Sequence, residues 1–219
     1  MTLFQRLKDA CPTDWAAYAD HAFVRGLGDG SLPQAAFRFY LVQDYRFLIH
    51  FARAHALAAF KADRLEDIRD AAATVGAIVD REMALHVDYC RGWGISPAEM
   101  EATPEAVETM AYTRYVLETG LSGDLLDLEV ALAPCIVGYG EIGAALAARG
   151  VSDDNPYASW IEAYAGEDYR AVAAAAVARL DRVFARRGSE ARMDGLVRIF
   201  GEATRLEARF WQMGLDAAG

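Results

Sequence analysis

Four acidic or nucleophilic side chains stand in surroundings that a folded core rarely gives to such groups. On a helix, Asp44 has Tyr40, Leu41, Phe47 and Leu48 at its three- and four-residue spacings, all apolar or aromatic. A carboxylate in that stripe is costly unless something pairs with it. Either an arginine or a backbone N–H satisfies it inside the core, or it belongs to a site, where perturbed acids are enriched. Glu82 repeats the pattern, with Ile78, Val79, Leu85 and His86 around it. Glu82 and His86 lie one turn apart, close enough to hydrogen-bond or to share a metal. A metal would need further ligands. All four histidines, His21, His50, His55 and His86, precede residue 87, so the second acidic/His helix motif of a diiron bundle is missing. No metal site is expected.

Cys135 sits in Ala131-Leu132-Ala133-Pro134-Cys135-Ile136-Val137-Gly138-Tyr139-Gly140-Glu141. Proline inside a helix costs roughly 3 kcal/mol and frees a carbonyl one turn back, and each glycine costs up to about 1 kcal/mol against alanine. Locally unfavourable choices of this kind crowd around functional sites. A kink would open the helix beside the thiol, and the glycines would admit a flat ligand or another helix. Tyr139, one turn on, would share the wall. Cys135 is therefore a candidate nucleophile, although a buried cysteine also serves as a small hydrophobe. Cys11 and Cys90 lack such surroundings. Glu207 shares a helix face with Phe200, Ala203, Phe210 and Trp211. It is either a core-edge residue with its head in water or a general acid whose pKa burial has raised.

Helices must position these groups, because helix formers dominate and breakers fall at regular intervals. Ser31-Leu32-Pro33 opens a run from about Gln34 to Ala62; a second starts near Leu65 and ends at Gly92 and Gly94, before Ser96-Pro97. Thr103-Pro104 opens a third, to about Thr119, closed by Gly120 to Gly123. Asp124 to Arg149 forms a fourth, Asn155-Pro156 starts a short segment through Tyr164, and Gly166 leads into a helix ending at Gly188. Ser189 and Arg192 begin the last. No alternating β-branched stretch of strand length occurs. The fold class is all-α, and with no linker, composition shift or repeat the chain is expected to form one domain, residues 1–219, as an up-and-down bundle.

Thirty-two acidic against 22 basic side chains give a net charge of −10, which repels a nucleic-acid backbone at long range. The one compact basic cluster, Arg186-Arg187 with Arg179 and Arg182, is expected to be a solvated helix face. Charges interrupt the N-terminal segment where a signal peptide needs its apolar core, and no uninterrupted apolar run reaches the roughly 18 to 20 residues of a span. Neither a membrane nor nucleic acid is an expected partner. The expected compartment is cytoplasmic, where the three cysteines would stay reduced.

Six blocks together resemble a known family: Gln43-Asp44-Tyr45-Arg46-Phe47-Leu48, Glu82-Met83-Ala84-Leu85-His86, Ala111-Tyr112, Pro134-Cys135 through Ile142-Gly143, Trp160-Ile161-Glu162-Ala163-Tyr164 and Glu207-Ala208-Arg209-Phe210-Trp211. In order and across nearly the whole chain they look like the TenA/thiaminase II family. The resemblance implies a haem-oxygenase-like helical fold without a cofactor, a homotetramer, and a small-molecule aminopyrimidine substrate. The implied activity is hydrolysis at the pyrimidine methylene of thiamin or of 4-amino-5-aminomethyl-2-methylpyrimidine, giving the hydroxymethyl product in thiamin salvage. By the same resemblance Cys135 is the nucleophile that adds to the ring and Glu207 the acid/base. Asp44 holds the aminopyrimidine edge, with Tyr139, Tyr112, Tyr164 and Phe47 as further binding groups and Glu82 and His86 in support. Position 47 departs from the tyrosine that many members carry, which keeps stacking but removes a hydroxyl. A non-catalytic pyrimidine-binding or regulatory protein on the same fold is the rival reading.

Overall fold

Capping residues set where the helices begin. The Thr2 hydroxyl accepts from the Gln5 N–H at the start of α1 (Leu3–Ala10), and Pro12 occupies the first turn of α2 (Pro12–Ala19), where its missing N–H costs nothing. α3 (Ala22–Asp29) closes on Gly30, whose φ of 77° only glycine adopts readily. Pro33 then starts α4 (Gln34–Lys61), a helix of 28 residues. The computed structural model describes residues 1–219 as twelve α-helices, one π-helical turn and one 3₁₀ turn, with no strand.

The second expected run is interrupted. α5 (Leu65–Ala77) passes through a π-helical turn, Ile78–Glu82, into α6 (Met83–Gly92). The wider turn delays the helical phase just before Glu82 and His86, so the face predicted from constant 3.6-residue periodicity is not the face observed: Val79, assigned to the apolar stripe, is 55% exposed. Ser96-Pro97 does more than end a run. Ser96 and Glu99 form a reciprocal capping box that begins a further short helix, α7 (Pro97–Ala102). In consequence α8 (Val107–Ser122) starts later than Thr103-Pro104 suggested and continues through Gly120, stopping at Gly123.

α9 (Leu125–Ala148) is capped by Asp124, which accepts from Leu126 and Asp127 N–H. It is followed by α10 (Ala158–Ala165), α11 (Glu167–Arg187) and, after the 3₁₀ turn Glu190–Arg192, α12 (Met193–Asp216). α9 is long and apolar enough to cross a membrane, yet 72% of that stretch is buried against the protein itself. α8, α10, α11 and α12 pack around α9, while α5, α6, α8 and α12 pack around α4. One contiguous cluster of 51 buried apolar residues results. Trp160, Trp211, Tyr40 and Phe210 are among its largest wholly buried members, each worth roughly 1.5–3 kcal/mol in removed apolar surface.

The arginines of α11 correct another expectation. They do not form a solvated face. Arg179 is buried and pairs with buried Glu129 of α9 at 3.0 Å; Arg182 reaches Asp70 at 2.6 Å, Arg186 binds Asp67 and Arg187 binds Asp63. Four guanidinium groups thereby fasten α11 to α9, to α5 and to Asp63 in the connection that precedes α5. Deleting one partner of the Arg179–Glu129 pair would strand a buried charge, which is why such pairs are costly to break.

Candidate active site

Pro134 has no N–H to give to the Val130 carbonyl, yet α9 runs unbroken through it. Instead of a ligand, a neighbouring ring fills the groove that the small residues leave. The Tyr18 hydroxyl donates to the Pro134 carbonyl at 3.3 Å, and a Cβ added to Gly138 would lie 2.5 Å from the Tyr18 ring. Gly143 likewise admits the backbone of Tyr164 from α10. The glycines thus serve approach by protein groups. Their effect is to bring Tyr18 and Tyr164 close beside the turn that carries Cys135, which itself remains partly exposed.

Groups from α4, α6, α8, α10 and α12 converge on this turn. From α12, Glu207 is buried at 1% exposure and accepts a hydrogen bond from the Tyr112 hydroxyl of α8 at 2.8 Å. Burial is the main reason its pKa rises to about 8; nearby Asp44 adds to the rise, while the Tyr112 and Cys135 hydrogen bonds oppose it. Glu207 is therefore a protonated acid near neutrality, settling the choice left open between a core-edge residue and a raised-pKa acid. Burial, followed by the charges of Glu207, Glu82 and Asp44, also pushes the Cys135 thiol well above its usual range. Without a ligand the sulfur is a thiol.

Asp44 is buried on α4, and its partner is neither an arginine nor a backbone N–H. His86 Nε2 lies 2.7 Å from Oδ2, and the Tyr40 hydroxyl donates to the same oxygen at 3.2 Å. The other His86 nitrogen, Nδ1, is 2.8 Å from the Glu82 carbonyl. A carbonyl only accepts, so Nδ1 carries hydrogen, and Nε2 facing the carboxyl shares a second proton with it. Burial lowers the His86 pKa, but the Asp44 hydrogen bond and charge, with Glu82, outweigh it and the net direction is upward. The expected Glu82–His86 side-chain pair is thus replaced by a His86–Asp44 pair, with Glu82 contributing its backbone. Asp44 Oδ1 makes no hydrogen bond to the protein.

The Glu82 carboxyl projects toward the same space, accepting from the Tyr164 hydroxyl at 3.4 Å through Oε1. Burial, then Asp44, raises its pKa to about 7 against the opposing influence of His86 and Tyr164. Tyr139 joins through the Tyr40 hydroxyl, 3.4 Å from its own, and packs its ring on Tyr164, Trp160 and Trp211. Phe47 lies 4.9 Å from the Tyr112 ring and 5.6 Å from Phe210, forming an apolar wall with no hydroxyl. The residues singled out in the sequence thus form one connected cluster. Three more belong with them: Tyr40 and Tyr18, described above, and Tyr169. The Tyr169 ring packs edge-on against Tyr164 at 4.8 Å, and burial first, then the charges of Glu82, Cys135, Glu207 and Asp44, raise its pKa. Gly138 was the trace of Tyr18, and Gly140, where an added Cβ would lie 3.5 Å from the Tyr169 ring, was the trace of Tyr169.

The resulting chemistry is specific. Three carboxyl groups, Asp44, Glu82 and Glu207, face one thiol, and each has one oxygen held by a phenol while Asp44 also holds His86. Their remaining oxygens suit a flat ligand rich in N–H groups and positive charge, stacked between aromatic walls. No set of three or more His, Cys, Asp and Glu side chains comes together to hold a metal ion. A surface cleft of about 480 Å³ between α4 and the π turn, bordered by Leu48, Ile49, Val79 and Met83, includes none of the site residues.

Comparison with known proteins gives a consistent picture. A family model described as TENA/THI-4/PQQC matches residues 10–217. An aminopyrimidine aminohydrolase of Halalkalibacterium halodurans is 38% identical over 203 residues, covering 92% of this chain and 90% of that one. A solved structure from Silicibacter sp. TM1040, described as a TenA family transcription regulator, is 48% identical with a TM-score of 0.93, covering 97% and 96% of the two chains. Another, a domain of unknown function from Shewanella denitrificans described as having a haem oxygenase-like fold, has a TM-score of 0.76 at 15% identity, with 97% and 92% covered. The fold is all-α and haem-oxygenase-like.

Proposed function

We propose, from the premise that this chain belongs to the TENA/THI-4/PQQC family, that it hydrolyses aminopyrimidines at the pyrimidine methylene, with Cys135 as nucleophile and Glu207 as acid/base. The observation that carries this reading is the juxtaposition of the Cys135 thiol with a buried, protonated Glu207 carboxyl locked by Tyr112. A thiol with a raised pKa needs a proton acceptor at the moment it attacks, and an electron-poor ring needs a proton at nitrogen when its carbon is attacked. Glu207 serves both. It gives its proton to a ring nitrogen and takes the thiol proton as the S–C bond forms, so the thiol adds across the ring bond without a free thiolate.

The ring's electron pair then expels the leaving group from the methylene carbon, and water adds to the exocyclic methylene that results. Loss of the Cys135 sulfur from the ring, with return of the proton through Glu207, releases the hydroxymethylpyrimidine. Asp44 Oδ1 accepts from the ring's amino group, while His86 and Tyr40 fix the carboxyl through Oδ2. Phe47, Tyr112, Tyr139 and Tyr164 wall the ring. This hydrolase reading includes thiamin and its aminomethylpyrimidine breakdown product as substrates in thiamin salvage, in the cytoplasm, by one domain spanning residues 1–219. It also includes a homotetramer, for which the apolar groove beside Val79 and Met83 is a suitable subunit face.

A regulator on the same fold is the rival, favoured only by the description of the Silicibacter protein as a transcription regulator. The two separate on turnover. Purified protein incubated with thiamin and with aminomethylpyrimidine should release hydroxymethylpyrimidine from at least one, many times per active site. Binding without release would establish the regulatory reading instead.

A further inference from the structure

The reaction proposed above uses Cys135, Glu207 and Asp44 on the pyrimidine ring and leaves Glu82 without work. Glu82 is nevertheless a site group: its carboxyl accepts from the Tyr164 hydroxyl of α10 at 3.4 Å, its backbone carbonyl holds His86 of α6 at 2.8 Å, and its charge is felt by Cys135 of α9 and Tyr169 of α11. It differs from the other two acids in position. Asp44 is 4% exposed and Glu207 1%, whereas Glu82 is only partly buried, on the π turn that α4 does not fully cover. In the binding mode proposed above, Asp44 and Glu207 hold the edges of the ring, which leaves Glu82, on the more open side, available to the substituent on the methylene.

We propose that Glu82 is the leaving-group specificity residue of this site, its free carboxylate oxygen accepting hydrogen bonds from a substrate whose departing group is a protonated primary amine. The inference rests on the aminopyrimidine hydrolase reading and deepens it. A carboxylate whose Oε1 is occupied by the Tyr164 hydroxyl has Oε2 left for one further donor. An ammonium brings three N–H donors and a positive charge into a pocket of three acids and one imidazole. It departs as neutral ammonia when the C–N bonding pair goes to nitrogen, the ring supplying the pair that forms the exocyclic methylene. A thiazolium leaving group has no N–H to offer, so Glu82 gives it charge attraction alone. No co-reactant beyond the substrate and water is needed.

Asp44, His86, Tyr164, Tyr169 and Cys135 set the charge that Glu82 feels, and burial with Asp44 places its pKa at about 7. The preference for the amine is therefore to be measured at pH 8, where Glu82 is mostly ionised and the amine still protonated. Calorimetric titration of Cys135→Ser, chosen to suppress turnover, would compare aminomethylpyrimidine with its neutral hydroxymethyl counterpart. The same pair would be titrated into Cys135→Ser/Glu82→Gln. The expected result is at least a tenfold preference for the amine in the single variant, reduced to under threefold in the double variant, with hydroxymethyl affinity changed less than threefold. An unchanged preference would overturn the proposal, as would an equal weakening of both ligands, which a structural role produces. Failure of the single variant to bind either pyrimidine is the distinct signature of a wrong substrate class and would remove the functional reading together with this one. A second check needs no variant at position 82: below pH 7 the amine preference of Cys135→Ser should decline as Glu82 gains its proton, and a preference constant from pH 6 to 8 would count against it.

Discussion

Cysteine reactivity in this chain depends on which groups surround each sulfur, since none of the three has a cation that would lower its pKa below normal. Burial raises Cys90 to about 11 and Cys11 above its usual value, and neither has an acid/base partner positioned as Glu207 is for Cys135. The Cys11 thiol donates a hydrogen bond to the Val197 carbonyl at 3.6 Å, a structural contact within the core. Cys135→Ser should accordingly lose at least about a hundredfold in turnover of aminomethylpyrimidine, while Cys90→Ser stays within about threefold of the parent protein. Steady-state rates on the two variants check this, and equal rates would exclude covalent attack by Cys135. The raised thiol pKa adds a constraint: labelling of Cys135 by a small electrophile should be slow at pH 7 in the free protein despite its exposure, because only the thiolate reacts.

At the scale of elements, the site depends on α9 accepting rings where other helices carry side chains. Gly138→Ala would set a methyl 2.5 Å from a Tyr18 ring that is wholly buried, stacked on Trp211 and edge-on to Trp15. The ring has nowhere to go, so the substitution should cost about 1–3 kcal/mol despite alanine's better helix propensity. Gly76→Ala is the control: on α5 a methyl would meet nothing nearer than an Asp80 oxygen at 4.0 Å, and stability should rise by up to about 1 kcal/mol. Urea midpoints at unchanged slope would measure both. These cases show what a sequence can convey. The long helices from Gln34 onward, the Asp44 anomaly and the Pro134–Gly143 block were legible because each is local, a spacing or a breaker, whereas α1, α2, α3 and α7 are too short for periodicity to mark them. The His86–Asp44 pair was not legible, because it joins α4 to α6 across 42 positions and because the π turn rotates the face on which Glu82 and His86 were placed. The Arg179–Glu129 pair was hidden for the same reason: a basic residue among basic residues looks solvated until its partner arrives from another helix.

For the molecule as a whole, the acids that equip the site are a burden on folding, and the burden has a pH signature. Glu207 has a folded pKa of about 8 against an ordinary 4.5. Between these values the folded chain retains a proton that the unfolded chain has lost, so Glu207's contribution to stability is intact below about 4.5, declines as pH rises, and is fully lost above about 8. Glu82, at about 7, acts in the same direction over a narrower range. His55 acts oppositely. Enclosed in the core with both ring nitrogens unpartnered, it is held at about 3 by burial and the Arg179 charge, so the unfolded chain binds its proton first and stability falls as pH drops from 6.5 toward 3. Glu207→Gln isolates the first effect, since glutamine keeps the side-chain length and hydrogen bonding with nothing to ionise. Its stability relative to the parent protein should be lowest at pH 4.5, climb by up to about 1.4 kcal/mol per pH unit, and level off above pH 8 with a total gain on the order of 4–5 kcal/mol. Turnover should meanwhile collapse at every pH, because the proton that Glu207 carries to the ring is absent. Urea unfolding of both proteins at pH 4.5, 6, 7, 8 and 9 measures the gap. A gap that stays constant would mean that Glu207 has an ordinary pKa in the folded protein, and with it the assignment of Glu207 as the acid in the reaction would fail.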